Sequence, residues 1–210
     1  MALLALRASE LLDRFASPDP TPGGGSAAAL AGATAAALVA MVCRMPKTRT
    51  GDPVERARLD QALADARTAG DQCRRLVDED SAAYDAVVAA YKLPRASGDE
   101  KAVRKRAVDA ANSVAIDVPM RTAEMCWVVL GTAQAAAENG NPNAVSDART
   151  AAALAWAGLR GAAENVRINL GASAGPSQIR SRLESLESAA GASLAALGLA
   201  PRGPAPAGDR

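Results

Sequence analysis

Residues 19–41 read DPTPGGGSAAALAGATAAALVAM, three consecutive glycines set between a proline-rich loop and a long run of alanine. Alanine is the strongest helix former and β-branched residues are sparse, so the run reads as a helix. Ser26 is a natural N-cap for it, which places the helix at about residues 27–45, with Pro46 as its stop. A membrane span is the rival reading. Alanine gains little in lipid, and Arg44 and Lys47 follow closely, so the helix is assigned to the interior of a protein bundle. The glycines leave two readings open. PGGGS lacks the lysine and hydroxyl residue of a nucleotide-binding loop, and no strand precedes it. It is then either a flexible turn or a nest of backbone N–H groups that can hold an anion or a carbonyl oxygen.

Working outward, the same helical character fills the chain, and no run of alternating β-branched residues interrupts it. Aromatic residues make up 2% of the 210, so the core must be built from small side chains on closely spaced backbones, which helices do more readily than sheets. The spacing predicts an all-α antiparallel bundle of about six to seven helices in one domain, residues 1–199. The helices fall at about 2–16, 27–45, 53–93, 99–116, 119 to the GNPN loop, 146–170 and 177–197. The longest, 53–93, is central and invites a bend at Gly70, while Asp117 and Pro119 signal a fresh helix start. Residues 200–210, rich in proline and glycine, read as a disordered tail.

A formal net charge of +1, with both signs scattered, gives no basis for a nucleic-acid or anionic-membrane partner. The N-terminal stretch carries Arg7, Glu10, Asp13 and Arg14 through its apolar pattern, which makes it an amphipathic helix rather than a signal peptide. Three cysteines without paired spacing read as reduced core thiols of a cytoplasmic protein. The chain has no histidine, which removes Ser-His and Cys-His nucleophiles, histidine bases and histidine-ligated zinc; no metal site is expected.

Two apolar seams carry misplaced polar residues. Steps of four and three from Leu59 pass through Leu63, Ala66, Gly70, Cys73, Val77, Asp80, Tyr84, Val87 and Tyr91, with Asp80 the one charge. A carboxylate there costs several kcal/mol unless paired, hydrogen-bonded or facing a wet cavity. It is either an acid paired with arginine or fixing helix register, or a group whose surroundings raise its pKa into a useful range. Spacing leaves these level. The second seam, Asp147, Ala151, Leu154, Gly158, Gly161, Asn165 and Ile168, is small in the middle and polar towards both ends, with Asn169 one turn beyond Asn165. Asp147 also suits a first-turn acid, and the asparagines suit interhelical hydrogen bonds.

Four segments, PTPGGGSAAALAGATAAALVAMV, DEDSAAYDAVVAAYKLPR, AIDVPMRTAEMC and GNPNAVSDARTAAALAWAGLRGAAENVRIN, together resemble the cyclodeaminase/cyclohydrolase family of folate one-carbon metabolism, over about residues 3–175. The resemblance implies a homodimer with a folate site in a cleft near the subunit contact. It implies one of two reactions. The leading expectation is closure of 5-formiminotetrahydrofolate to 5,10-methenyltetrahydrofolate with release of ammonia. The alternative is hydrolysis of 5,10-methenyltetrahydrofolate to 10-formyltetrahydrofolate, and a second alternative is a non-catalytic helical dimer or binding protein. The folate is substrate, and no cofactor is implied. The family's aspartate, implied to be the catalytic acid, falls on Asp80, with Tyr84 at its aromatic position. By the same carry-over Gly23, Gly24, Gly25 and Ser26 line the pocket, while Ser146, Asp147, Asn165 and Asn169 approach the pterin or the reacting carbon. Arg104 pairs with Asp80 or with a folate glutamate, or is an ordinary solvated arginine. The basic stretch CRMPKTRTGDP, residues 43–53, would suit a polyglutamate tail.

Overall fold

The computed structural model describes residues 2–171 and 177–199; the expected tail lies outside them. Six α-helices follow one another among the described residues: α1 (Ala8–Ala16), α2 (Gly24–Cys43), α3 (Pro53–Tyr91), α4 (Gly98–Asn139), α5 (Val145–Leu170) and α6 (Ser177–Ala196). Single 3-10 turns lie at Leu3–Ala5 and Pro142–Ala144, and there is no strand among the described residues.

Short connections at 44–52, 92–97 and 140–144 reverse the chain, so α2 to α5 form an up-down-up-down bundle in which α3 and α5 flank α2. α6 packs across α4 and α5. Its Glu187 binds Arg160 at 2.6 Å and also Arg167, and its Arg182 reaches Glu124 of α4 at 2.6 Å. α2 is long and apolar enough to cross a membrane by length and composition, but here it is the packed core helix, with eleven buried residues.

Small residues bring the four helices together. A Cβ on Gly32 of α2 would lie 2.7 Å from Cys126 Sγ and 2.8 Å from Cys73 Sγ, and one on Gly158 of α5 would lie 2.7 Å from the same Cys126 sulfur. All three cysteines are free and fully buried, as expected of core thiols. Burial pushes the Cys43 thiol up to about 11.

Four local expectations change. α3 runs unbroken past Gly70, whose missing side chain instead admits Ala36 of α2; a Cβ there would sit 2.7 Å from that methyl. The N-terminal helix is interrupted at Leu6 and Arg7, where the Glu10 carboxylate accepts the Arg7 N–H at 3.0 Å and starts α1 afresh. α2 begins at Gly24, three residues earlier than Ser26 would set it. Finally, the two helices expected on either side of Asp117 are one, α4, with Pro119 buried inside it. Asp117 does not cap; it binds Arg121 at 2.8 Å. Proline leaves one carbonyl, that of Ala115, without its helical donor. That oxygen is bonded from α5, by Asn169 Nδ2 at 2.6 Å.

α3 continues eleven residues beyond Asp80, about 16 Å of helix, and α4 returns alongside it. The α3–α4 hairpin therefore extends past the start of α2. The candidate site lies where it leaves the bundle.

Candidate active site

Asp78, Glu79 and Asp80 are consecutive acids with three separate surroundings. Asp78 accepts the Leu3 N–H at 2.8 Å, and Glu79 pairs with Arg121 at 2.6 Å. Asp80 forms no ion pair among the described residues. Its carboxylate rests against the first turn of α2, where the Ser26 hydroxyl lies 3.1 Å from Oδ2 and the Ser26 backbone N–H also donates to it. The open reading of Asp80 as an acid paired with arginine is thereby removed.

The glycines follow from that approach. A Cβ on Gly25 would fall 2.0 Å from Asp80 Oδ1, closer than any real contact, so only glycine lets the carboxylate reach the helix end. α2 has no side-chain cap of its own, and Asp80, arriving from α3, takes that place. This is why the helix starts early and why Ser26 lies inside its first turn. The Ser26 hydroxyl is fully buried, 2.8 Å from the Val77 carbonyl and 3.1 Å from the Ser81 hydroxyl as well as from Asp80. It has one proton to give, so Val77 and Asp80 compete for it while Ser81 can donate to its oxygen.

Burial raises the Asp80 pKa above the ordinary value of 3.8, and the Ser26 hydroxyl and N–H pull against that rise without cancelling it. Asp80 opens onto a cavity of about 350 Å³ walled by Gly23, Gly24 and Gly25, by Tyr84 and Val87 of α3, by Asn112 and Ala115 of α4, and by Asn165, Ile168 and Asn169 of α5. Tyr84 is 44% and Ile168 76% exposed, an apolar margin beside the polar floor. Asn165 bonds back to the Gly161 carbonyl through Nδ2 at 2.8 Å, which leaves its amide oxygen available.

Eight of the residues singled out in the sequence thus converge: Asp80, Gly23, Gly24, Gly25, Ser26, Tyr84, Asn165 and Asn169. Three do not. Ser146 and Asp147 begin α5, some 27–28 Å along the helix from Asn165. The helix whose end they were expected to bring to the site presents its C-terminal turns there instead. Arg104 bonds the Tyr91 carbonyl at 3.2 Å and stacks 5.2 Å from the Tyr91 ring, closing the end of α3 rather than pairing with Asp80. The basic stretch is tied to the bundle through its own Arg49 and through Arg56, which lies just beyond it. Arg56 donates to the carbonyls of Cys43 and Met45 at 2.8 and 2.9 Å, and Arg49 to those of Glu138 and Ala137 at 2.5 and 2.6 Å. Both lie at the far end of α2 from Asp80.

Sequence reasoning missed Ser81, Asn112 and Ala115. Asn112, Ala115 and Pro119 lie three and four residues apart and so share one face of α4, but that face is visible only once the helix is read straight through Pro119.

The formiminotransferase-cyclodeaminase family model matches residues 7–188. The chain belongs to that family. It is 42% identical over 158 residues to the methenyltetrahydrofolate cyclohydrolase of Methylorubrum extorquens, covering 75% of this chain and 76% of that one. It is 34% identical over 149 residues to the formimidoyltransferase-cyclodeaminase of Rattus norvegicus, covering 71% of this chain but 28% of that much longer protein. The fold matches the crystal structure of a formiminotetrahydrofolate cyclodeaminase from Thermotoga maritima with a TM-score of 0.74, at 26% identity and 93% coverage of both chains.

Proposed function

We propose that this family member hydrolyses 5,10-methenyltetrahydrofolate to 10-formyltetrahydrofolate. The sequence reading put the cyclodeaminase reaction first, and the comparisons favour its alternative. The weight lies with the Methylorubrum extorquens cyclohydrolase, which matches at higher identity and over three-quarters of both chains, whereas the rat enzyme is matched over 28% of its length.

The observation that carries the reading is Asp80, a half-buried carboxylate without a cationic partner among the described residues, facing a cavity and held at a helix start. The methenyl substrate is cationic at its amidine-like carbon, so an unpaired carboxylate is the natural counter-charge. Water adds to that carbon as Asp80 takes its proton. The protonated acid then returns the proton to N5 as the carbon–N5 bond breaks; the new hydroxyl loses its proton to solvent and the formyl group stays on N10. One water is consumed and one proton released. The folate is the substrate, and both internal proton transfers are assigned to one side chain.

Loss of the near-ultraviolet absorbance of 5,10-methenyltetrahydrofolate on addition of the protein tests this directly. Ammonia release from 5-formiminotetrahydrofolate, without that hydrolysis, would move the assignment to the cyclodeaminase branch.

We also infer a homodimer. An apolar groove of about 660 Å³ runs between α3 and α4 on the other side of Ala83 from the cavity, floored by Ala86, Ala90, Ala107 and Ala111, with Val114 50% exposed. A second α3–α4 hairpin would cover it and lie next to the site, and light scattering at twice the 21.3 kDa chain mass is the expected result.

A further inference from the structure

Pro119 is an unusual residue to find in the middle of a 42-residue helix, and its consequence lies in the cavity rather than in the helix. The carbonyl it leaves without a helical donor belongs to Ala115, which is itself a wall of the Asp80 cavity. Asn169, one residue before the end of α5, reaches across and donates Nδ2 to that oxygen at 2.6 Å. An amide facing a carbonyl at that distance has one tolerable orientation, nitrogen towards the oxygen. The Asn169 side chain is therefore not free to flip. Its carbonyl oxygen and second N–H are left for whatever enters the cavity.

We propose that Pro119 is a positioning residue for substrate: by vacating the Ala115 carbonyl it locks the Asn169 amide in the orientation that reads the donor and acceptor edge of the substrate's heterocyclic ring. This rests on the cyclohydrolase reading above and adds to it a residue that does not itself touch the folate. An ordinary residue at position 119 would supply the missing N–H, close the i to i−4 bond with Ala115 and compete with Asn169 for that oxygen, loosening the hold on the amide. Proline here weakens the helix while fixing the amide.

The test compares wild type, Pro119→Ala, Asn169→Ala and the double variant, by steady-state kinetics on 5,10-methenyltetrahydrofolate and by melting temperature. Pro119→Ala should raise KM roughly three- to tenfold, the scale of one hydrogen bond, with a much smaller change in kcat and an equal or higher Tm. Asn169→Ala should raise KM similarly, and the double variant no further than either single one. Pro119→Val, which keeps bulk at a buried position and restores the same N–H, provides the second route should the alanine variant pack poorly. If the proline served only the packing of α4, Tm would fall and the two KM effects would multiply. Turnover by the wild type with an unchanged KM in both Pro119 variants overturns this proposal alone. No turnover by the wild type overturns the cyclohydrolase reading and the proposal with it.

Discussion

The two ends of α2 are built on opposite plans. At its C-terminal end the last carbonyl, that of Cys43, is bonded by Arg56, which also holds the Met45 carbonyl just beyond, and the neighbouring end of α4 is bonded in the same way by Arg49. Positive groups on terminal carbonyls are what the helix dipole favours, and they satisfy acceptors that would otherwise need water. At its N-terminal end α2 has no side-chain cap of its own; glycines open the backbone to Asp80, a carboxylate with no cationic partner among the described residues. At the first end, cationic side chains of the protein already occupy the terminal carbonyls. The second is left incomplete in the direction of a cavity, which is where a cationic substrate would complete it.

The largest effect should come from Asp80→Asn. Turnover of 5,10-methenyltetrahydrofolate should fall by about 10²- to 10⁴-fold, the range of a lost acid or base. Stability should move the other way. The folded-state pKa of Asp80 is raised above 3.8, so its ionised form is penalised in the native state. That penalty is absent below pH 3.8 and grows as pH rises from there through the folded value. Asn carries no charge, so the variant should be the more stable of the two in urea unfolding at neutral pH, and the difference should shrink towards pH 3.8. A variant that is inactive and less stable at neutral pH would mean that Asp80 belongs to the satisfied kind of end.

Gly25→Ala should follow in size. Its Cβ would be forced to within 2.0 Å of Asp80 Oδ1, so either the carboxylate or the first turn of α2 must move. Overpacking of this kind costs about 1–3 kcal/mol, and displacement of Asp80 should lower kcat/KM at least about tenfold. Gly161→Ala is the control on a neighbouring contact. Its Cβ would meet the Ala28 methyl at 3.3 Å, a tight approach that a small shift relieves, and both effects should be far smaller.

The opposite end supplies the reciprocal result. Arg49→Ala removes two bonds to the end of α4 and should lower stability by about 1 kcal/mol while leaving kcat/KM within about twofold. Denaturant titration and the absorbance assay together check this. A large loss of activity would place that end, with Ser146 and Asp147 nearby on α5, at a site shared with a second subunit.

How much of this could be read beforehand depended on whether the signal was periodic. Asp80 was legible because one charge on a ten-position apolar seam breaks its own helix's pattern. The all-α bundle was legible for the same reason, since alanine periodicity survives without knowledge of neighbours. What was not legible required a second helix. Gly70 reads as a breaker until Ala36 is seen beside it, and Ser26 reads as a cap until Asp80 arrives to take that place. Pro119 reads as a helix start because its lost hydrogen bond is made good by a residue fifty positions further on. Ser146 and Asp147 belong to a segment that resembles the family throughout, but resemblance along a 26-residue helix says nothing about which of its ends faces the cavity.

Ser26→Ala probes the smallest difference between the two ends, the tuning of a charge rather than its presence. Burial raises the Asp80 pKa and the Ser26 hydroxyl and N–H lower it; the substitution removes the hydroxyl and keeps the N–H. Asp80 must be ionised to take a proton from water, so activity falls as pH drops through its pKa. With the hydroxyl gone that pKa rises further, and the acid limb of the kcat/KM profile should move to higher pH in the variant while the plateau above it changes little. The direction separates two roles for the serine. A hydroxyl that served only to satisfy the Val77 carbonyl would leave the limb where it was and lower Tm alone, whereas one shared with Asp80 moves the limb. A limb displaced to lower pH would require the hydroxyl to stabilise the protonated acid, and the assignment of Ser26 as donor to the carboxylate would then be wrong.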